Sequence, residues 1–134
     1  MNFRDSGYAL TYVGLAGIVV VSVLGLEYAP GLKPCTGGGC WGAPEAYRIL
    51  YLHVPFAWCS FLSFSVLFYG SLMWYLRRSE DAWIYFQSGA DLGVIFGLGV
   101  ITSGPIWASA EWGRPWDWGD MRLNSFALLT AVAL

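Results

Sequence analysis

The chain has 134 residues, 57% hydrophobic, 18% aromatic and 12% charged, with a net charge of −2 and a mean hydropathy of +0.53. Soluble domains carry about 25% charged residues, so the composition excludes an ordinary soluble domain, and the slightly acidic balance gives no reason to expect nucleic-acid binding. The length allows one domain at most, and no repeat or low-complexity tract is present.

Three stretches are apolar enough to cross a bilayer: about Tyr8–Tyr28, one within Ile49–Leu76 and one within Trp83–Ala110. A hydrocarbon core of ~30 Å takes ~20 helical residues. The second and third stretches exceed that and should tilt or project. The first is a retained spanning helix rather than a signal peptide. Asp5 follows Arg4 at once, the apolar run is long for an h-region, and no Ala-x-Ala site follows it. Pro55 disfavours helix just before it. The segment from Pro55 to Tyr75 gives ~31 Å of helix, which places His53 at the edge of the hydrocarbon. In the third stretch Gly89, Gly93 and Gly97 line one face and predict close helix packing. Asp91 on the same helix should turn to protein or water, and Gly104-Pro105 should kink or loosen its far end. A fourth apolar stretch, Leu123–Leu134, gives only ~18 Å of helix, too little to span. The expectation is an all-α integral membrane protein, with three transmembrane helices and the start of a fourth. Residues 1–134 then form a single membrane domain, the amino-terminal half of a larger bundle. Charge alone does not orient it: with the amino terminus inside, the positive-inside rule is weakly opposed.

The first loop, about Ala29–Arg48, contains Cys35-Thr-Gly-Gly-Gly-Cys40. Its glycines allow the two thiols to meet, so a disulfide and two free thiols are both open, the former only in an oxidising compartment. The spacing is not that of covalent haem attachment. Cys59 in the second span reads as a small packing residue.

His53 is the only histidine. It sits in Tyr51-Leu-His-Val-Pro55 beside Phe56 and Trp58. A structural hydrogen-bonding role and a ligand role are both open, the latter because neutral imidazole is a standard axial ligand for haem iron. Arg48, about one and a half helical turns earlier, is a candidate partner for a ligand carboxylate. The third loop runs Glu111-Trp-Gly-Arg-Pro-Trp-Asp-Trp-Gly-Asp-Met-Arg-Leu-Asn124. An interfacial aromatic belt accounts for one or two of its tryptophans. It does not account for Gly113, Pro115, Asp117, Asp120 and Arg122 beside them. Rigid aromatic faces with Arg114 and Arg122 nearby suit a planar, carboxylate-bearing ligand.

Gly104-Pro-Ile-Trp-Ala, Trp112-Gly-Arg-Pro-Trp-Asp-Trp and Arg122-Leu-Asn-Ser together resemble the WWD signature of haem-handling membrane proteins. Leu52-His-Val-Pro55 upstream resembles the CcmC branch, the haem-handling subunit of the system I cytochrome c maturation machinery. The resemblance covers Ile49 to the end of the chain and is compatible with the first helix. It implies an amino terminus in the cytoplasm and extracytoplasmic loops at 29–48 and 111–122, in the inner membrane of a prokaryote or its organelle equivalent. It implies that His53 is an axial ligand to non-covalently and transiently held haem b. It also implies that Trp112, Gly113, Trp116, Trp118, Asp120, Arg122 and Leu123 cradle the porphyrin. The partners it implies are haem, a membrane-anchored haem chaperone, and an ABC transporter with its small membrane subunits. The sequence departs from the family pattern in two ways: Gly119 separates Trp118 from Asp120, and the later external histidine of the family has no counterpart. A thioether from Met121 is a weaker candidate ligand.

The expected role is therefore haem binding and delivery, without bond-making catalysis. A haem-free structural or transporter subunit is one alternative. A b-type electron-transfer subunit is another, although it ordinarily needs two intramembrane histidines per haem.

Overall fold

The computed structural model describes residues 3–30 and 42–134. Cys35 and Cys40, with their candidate bridge, lie outside the described residues. Helix α1 (Phe3–Tyr28) is followed by a short 3₁₀ helix (Ala46–Ile49) that runs directly into α2 (Leu50–Arg77); α3 (Glu80–Trp112) and α4 (Met121–Ala133) complete the chain. Among the described residues there is no strand, and the all-α expectation holds. Segments Ala9–Tyr28, Ala46–Arg77 and Glu80–Trp112 are long and apolar enough to cross a membrane, and Met121–Ala133 is a shorter apolar helix. The 28 residues of α2 and 33 of α3 extend ~42 and ~50 Å, so both outrun a ~30 Å hydrocarbon core.

Pro55 interrupts less than its sequence position suggests. Pro55 lies inside α2, which begins upstream at Leu50. A proline this close to a helix start forfeits one backbone bond, and the 3₁₀ turn before it already delivers the chain in helical geometry. His53 consequently sits in the first turn of a continuous helix. Pro105 likewise lies inside α3, which runs on to Trp112.

Helices α2 and α3 form an antiparallel hairpin joined by Arg78 and Ser79. Arg78 takes up the left-handed conformation (φ 51°) and its N–H closes α2 on the Trp74 carbonyl at 3.0 Å. Its guanidinium lies 5.5 Å over the Trp74 ring. Ser79 caps α3 by accepting from the Ala82 N–H at 3.3 Å. Glu80 and Asp81 then occupy the first turn, where the helix dipole favours acidic groups.

Small residues hold the helices together, as expected where lipid competes with every apolar contact. Gly70 of α2 lies against the backbone of Phe86, and Gly89 of α3 against the backbone of Leu67. Gly93 lies under the Phe64 ring and Gly97 under the Thr130 side chain, so the glycine stripe serves first α2 and then α4. Phe64, Ala82, Val100 and Ala108 are buried, together with Ser60, Ser63, Ser103 and Thr130. Large apolar side chains such as Leu62, Phe68 and Val132 face outward. The buried hydroxyls of Ser63 and Thr130 bond the carbonyls of Cys59 and Phe126, four residues earlier in their own helices (2.8 and 2.7 Å). Asp91 is exposed on α3, ~16 Å along from Glu80, and has no ion-pair partner among the described residues.

Helix α1 packs through its carboxy-terminal end, where Gly25 lies against the Tyr51 ring. Polar contacts bring the end of the first loop to the same pole of the molecule as the tryptophan-rich segment. The Tyr47 hydroxyl donates to the Pro30 carbonyl at 2.5 Å. The Glu111 carboxylate accepts the backbone N–H groups of Gly42 and Ala43, at 2.8 and 2.9 Å.

Candidate functional site

The tryptophan-rich segment is shaped by three local devices. Gly113 ends α3 in the left-handed conformation (φ 72°), with its N–H on the Ser109 carbonyl at 3.1 Å. Asp117 then makes a tight turn. Its Oδ1 accepts from the Gly119 N–H at 2.8 Å, its carbonyl accepts from the Asp120 N–H at 3.0 Å, and Oδ2 meets Arg114 at 3.4 Å. Asp120 caps α4. Its Oδ1 accepts from the Arg122 backbone N–H at 2.9 Å, and both carboxylate oxygens accept from the Arg122 guanidinium at 3.2 and 3.0 Å. Those hydrogen bonds from Arg122 hold the Asp120 carboxyl below the ordinary carboxylate range. Gly119, the extra residue in the motif, thus belongs to the turn that brings Asp120 to its cap position. Asn124 fastens the far end by donating from Nδ2 to the Trp118 carbonyl at 2.7 Å.

His53 comes to this region from α2. Its Nδ1 is 2.8 Å from Ser103 Oγ on α3, and among the described residues Nε2 has no hydrogen-bond partner. His53 lines a cavity of about 260 Å³ with Phe61, Val100, Trp107, Trp112, Leu123 and Phe126, and Asp120 and Arg122 stand on its wall. A second cavity, of about 370 Å³, shares Ala108, Trp112, Asp120, Arg122 and Leu123 with the first and adds Arg114, Pro115 and Asp117. The two adjoin across these shared residues, the first aromatic and apolar around His53 and the second charged around Arg114.

The sequence candidates therefore divide. His53, Trp112, Asp120, Arg122 and Leu123 share one cavity, and Arg114 joins them in the next. Gly113 and Asp120 hold the backbone that presents these groups. Trp116 and Trp118 pack on each other at 5.6 Å and line neither cavity; Trp118 is 83% exposed. Arg48 lies apart, in a cavity between Leu26, Ile49, Ile106 and Trp107, and pairs with Glu45 at 3.3 Å. Met121 is 81% exposed and lines neither of these two cavities, but an adjoining one that shares Phe61, Arg122 and Phe126 with the His53 cavity. Trp107, Phe61, Val100 and Phe126 are wall residues that the motif reading passes over. Trp107 alone carried a signal, since it belongs to the Gly104-Pro-Ile-Trp element, and its ring lies 4.7 Å from that of Trp112.

The donor set fits a flat apolar ligand with carboxylates. The His53 imidazole, whose Nε2 has no hydrogen-bond partner among the described residues, lies beside aromatic walls, and two guanidinium groups stand at the charged end. The Trp116 Nε1 and Arg48 Nε donors are buried and have no hydrogen-bond partner among the described residues. Arg114 and Arg122 each already face a carboxylate of this chain, so an incoming acid would share or displace Asp117 and Asp120.

Fold and site define a helical membrane protein with a histidine-bearing, tryptophan-walled depression at one end of its helices. The chain belongs to the heme exporter protein C family, CcmC, whose profile matches residues 8–133. It is 33% identical over 100 residues to a putative cytochrome c biosynthesis ccmC-like mitochondrial protein of Marchantia polymorpha, a match covering 70% of this chain and 43% of the relative. It is 31% identical over 134 residues to heme exporter protein C of Paracoccus denitrificans (94% and 49%). It is 29% identical over 130 residues to that of Escherichia coli K12 (95% and 49%). The chain spans about half the length of the curated relatives it matches. No solved structure gives a significant match.

Proposed function

We propose that this chain builds one side of a haem-handling site for cytochrome c maturation, at the extracytoplasmic face of an inner or equivalent organelle membrane. The observation that carries the reading is the gathering of His53, Trp112, Asp120, Arg122 and Leu123 around one cavity, from helices far apart in sequence. Family membership supports the cargo, because the relatives are named as heme exporters or cytochrome c biosynthesis proteins. In this reading the imidazole of His53 ligates the iron of non-covalently held haem b. Trp112 and Trp107 cover one porphyrin surface, and Arg122 and Arg114 meet the propionates by exchanging them against Asp120 and Asp117. Trp116 and the exposed Trp118 form the rim across which haem passes to a membrane-anchored chaperone, alongside an ABC transporter and its small membrane subunits. Gly113 shapes that rim, and Arg48, which lies in a separate cavity, is not assigned to the propionates. The work is binding and release.

Haem titration of the detergent-extracted protein, followed by visible absorption, tests this. The expected result is a saturable Soret shift that weakens at least tenfold in His53→Ala. Equal haem retention by His53→Ala would remove its ligand role, and no saturable binding by the unaltered protein would sink the haem reading.

A further inference from the structure

The contact between His53 and Ser103 determines which imidazole nitrogen is available. Ser103 is 4% exposed and sits one helical turn after Gly99, whose carbonyl is 2.6 Å from its hydroxyl oxygen. That short i to i−4 bond takes the hydroxyl hydrogen. Thr102 also reaches the Gly99 carbonyl at 3.1 Å, but it is closer to Leu98 at 2.8 Å, so Ser103 is the principal side-chain donor to Gly99. A serine hydroxyl has one hydrogen and two lone pairs. With its hydrogen committed to Gly99, Ser103 Oγ faces His53 Nδ1 at 2.8 Å as an acceptor only. The hydrogen in that contact must then come from Nδ1. A neutral imidazole has only one, so Nε2 keeps its lone pair. The ring lies beside Gly104, the next residue, where a Cβ would come within 3.3 Å of His53 Cε1.

We propose that Ser103 is a positioning residue that holds His53 as the Nδ1–H tautomer and leaves Nε2 bare as the coordinating nitrogen. The use of that lone pair rests on the haem reading above; the tautomer itself is a property of the protein without ligand. Groups that orient a metal-binding histidine through its other nitrogen typically cost about 10- to 100-fold in affinity when removed, and the Ser103 contact falls in that class.

The single histidine makes the test direct, since protein labelled with ¹⁵N-histidine gives one imidazole spectrum. A long-range ¹H–¹⁵N correlation on the haem-free protein in micelles, at a pH where the ring is neutral, should show hydrogen on Nδ1 and none on Nε2. Ser103→Ala should move the population toward Nε2–H and weaken haem binding about tenfold. Ser103→Thr, which restores a hydroxyl, should return both. An Nε2–H tautomer in the unaltered protein overturns the proposal without any variant having to fold, as does an unchanged tautomer in folded Ser103→Ala. An Nδ1–H tautomer in a protein that binds no haem would leave Ser103's positioning role standing and defeat only the haem reading.

Discussion

Gly89 offers the sharpest test of how α2 and α3 are held. A Cβ built there meets the backbone nitrogen of Leu67 and lies 2.7 Å from its Cα. Carbon atoms rest at about 3.5–4.0 Å, so Gly89→Ala forces the helices apart by roughly 1 Å, and no rotamer change relieves it because the obstacle is backbone. Overpacking of this kind costs about 1–3 kcal/mol. Replacing glycine by alanine inside a helix returns about 1 kcal/mol, leaving a net loss of up to about 2 kcal/mol. Gly93→Ala should cost less, since its Cβ meets the Phe64 ring, which can swing. Gly14→Ala is the control: nothing lies within 4 Å of its Cβ, and only the propensity gain remains. Unfolding in detergent mixed with increasing SDS, followed by near-ultraviolet circular dichroism, reads the hairpin through Trp74 and Trp83, whose rings lie 5.2 Å apart across the two helices. Gly89→Ala should lose that signal at a lower SDS fraction than the unaltered protein, and Gly14→Ala at the same or a higher one. Coincident transitions for Gly89→Ala and Gly14→Ala would refute the backbone-contact account.

Asp120→Ala removes the α4 cap and should destabilise that helix by about 1 kcal/mol, measured as faster amide exchange at Arg122 and Leu123; unchanged exchange would deny the cap. Because the folded carboxyl titrates below its unfolded value, the capping contribution is complete above the ordinary carboxylate range and disappears as pH falls through the lower, folded value. The Arg122 amide resonance should therefore titrate with a midpoint below the ordinary aspartate range, and a midpoint within or above that range would contradict the pairing. Glu111→Ala deprives the Gly42 and Ala43 N–H groups of their acceptor and should loosen the end of the first loop while α2 and α3 stay paired. Limited proteolysis should then cut near residue 42 sooner than in the unaltered protein, and identical cleavage rates would show the carboxylate to be dispensable there.

The spans were legible in the sequence because hydropathy is local: a run of apolar residues needs no knowledge of its neighbours to be excluded from water. The membrane architecture, the short fourth helix, the packing role of Gly89, Gly93 and Gly97, and the neighbourhood of His53 and the tryptophan-rich segment came from that local information and from motif. Pro55 misled slightly, since whether it begins a helix or sits inside one depends on how the preceding residues enter it. The tertiary structure decided the rest. Trp112 and Trp118 are six residues apart, yet one lines the His53 cavity and the other faces outward, because Gly113 ends α3 in the left-handed conformation and redirects the chain between them. Gly42 and Glu111, like His53 and Ser103, are brought together from distant parts of the chain by how the helices pair. That register is fixed where Gly70 and Gly89 let two backbones touch. No pattern within a single helix encodes which residue of its neighbour will stand opposite.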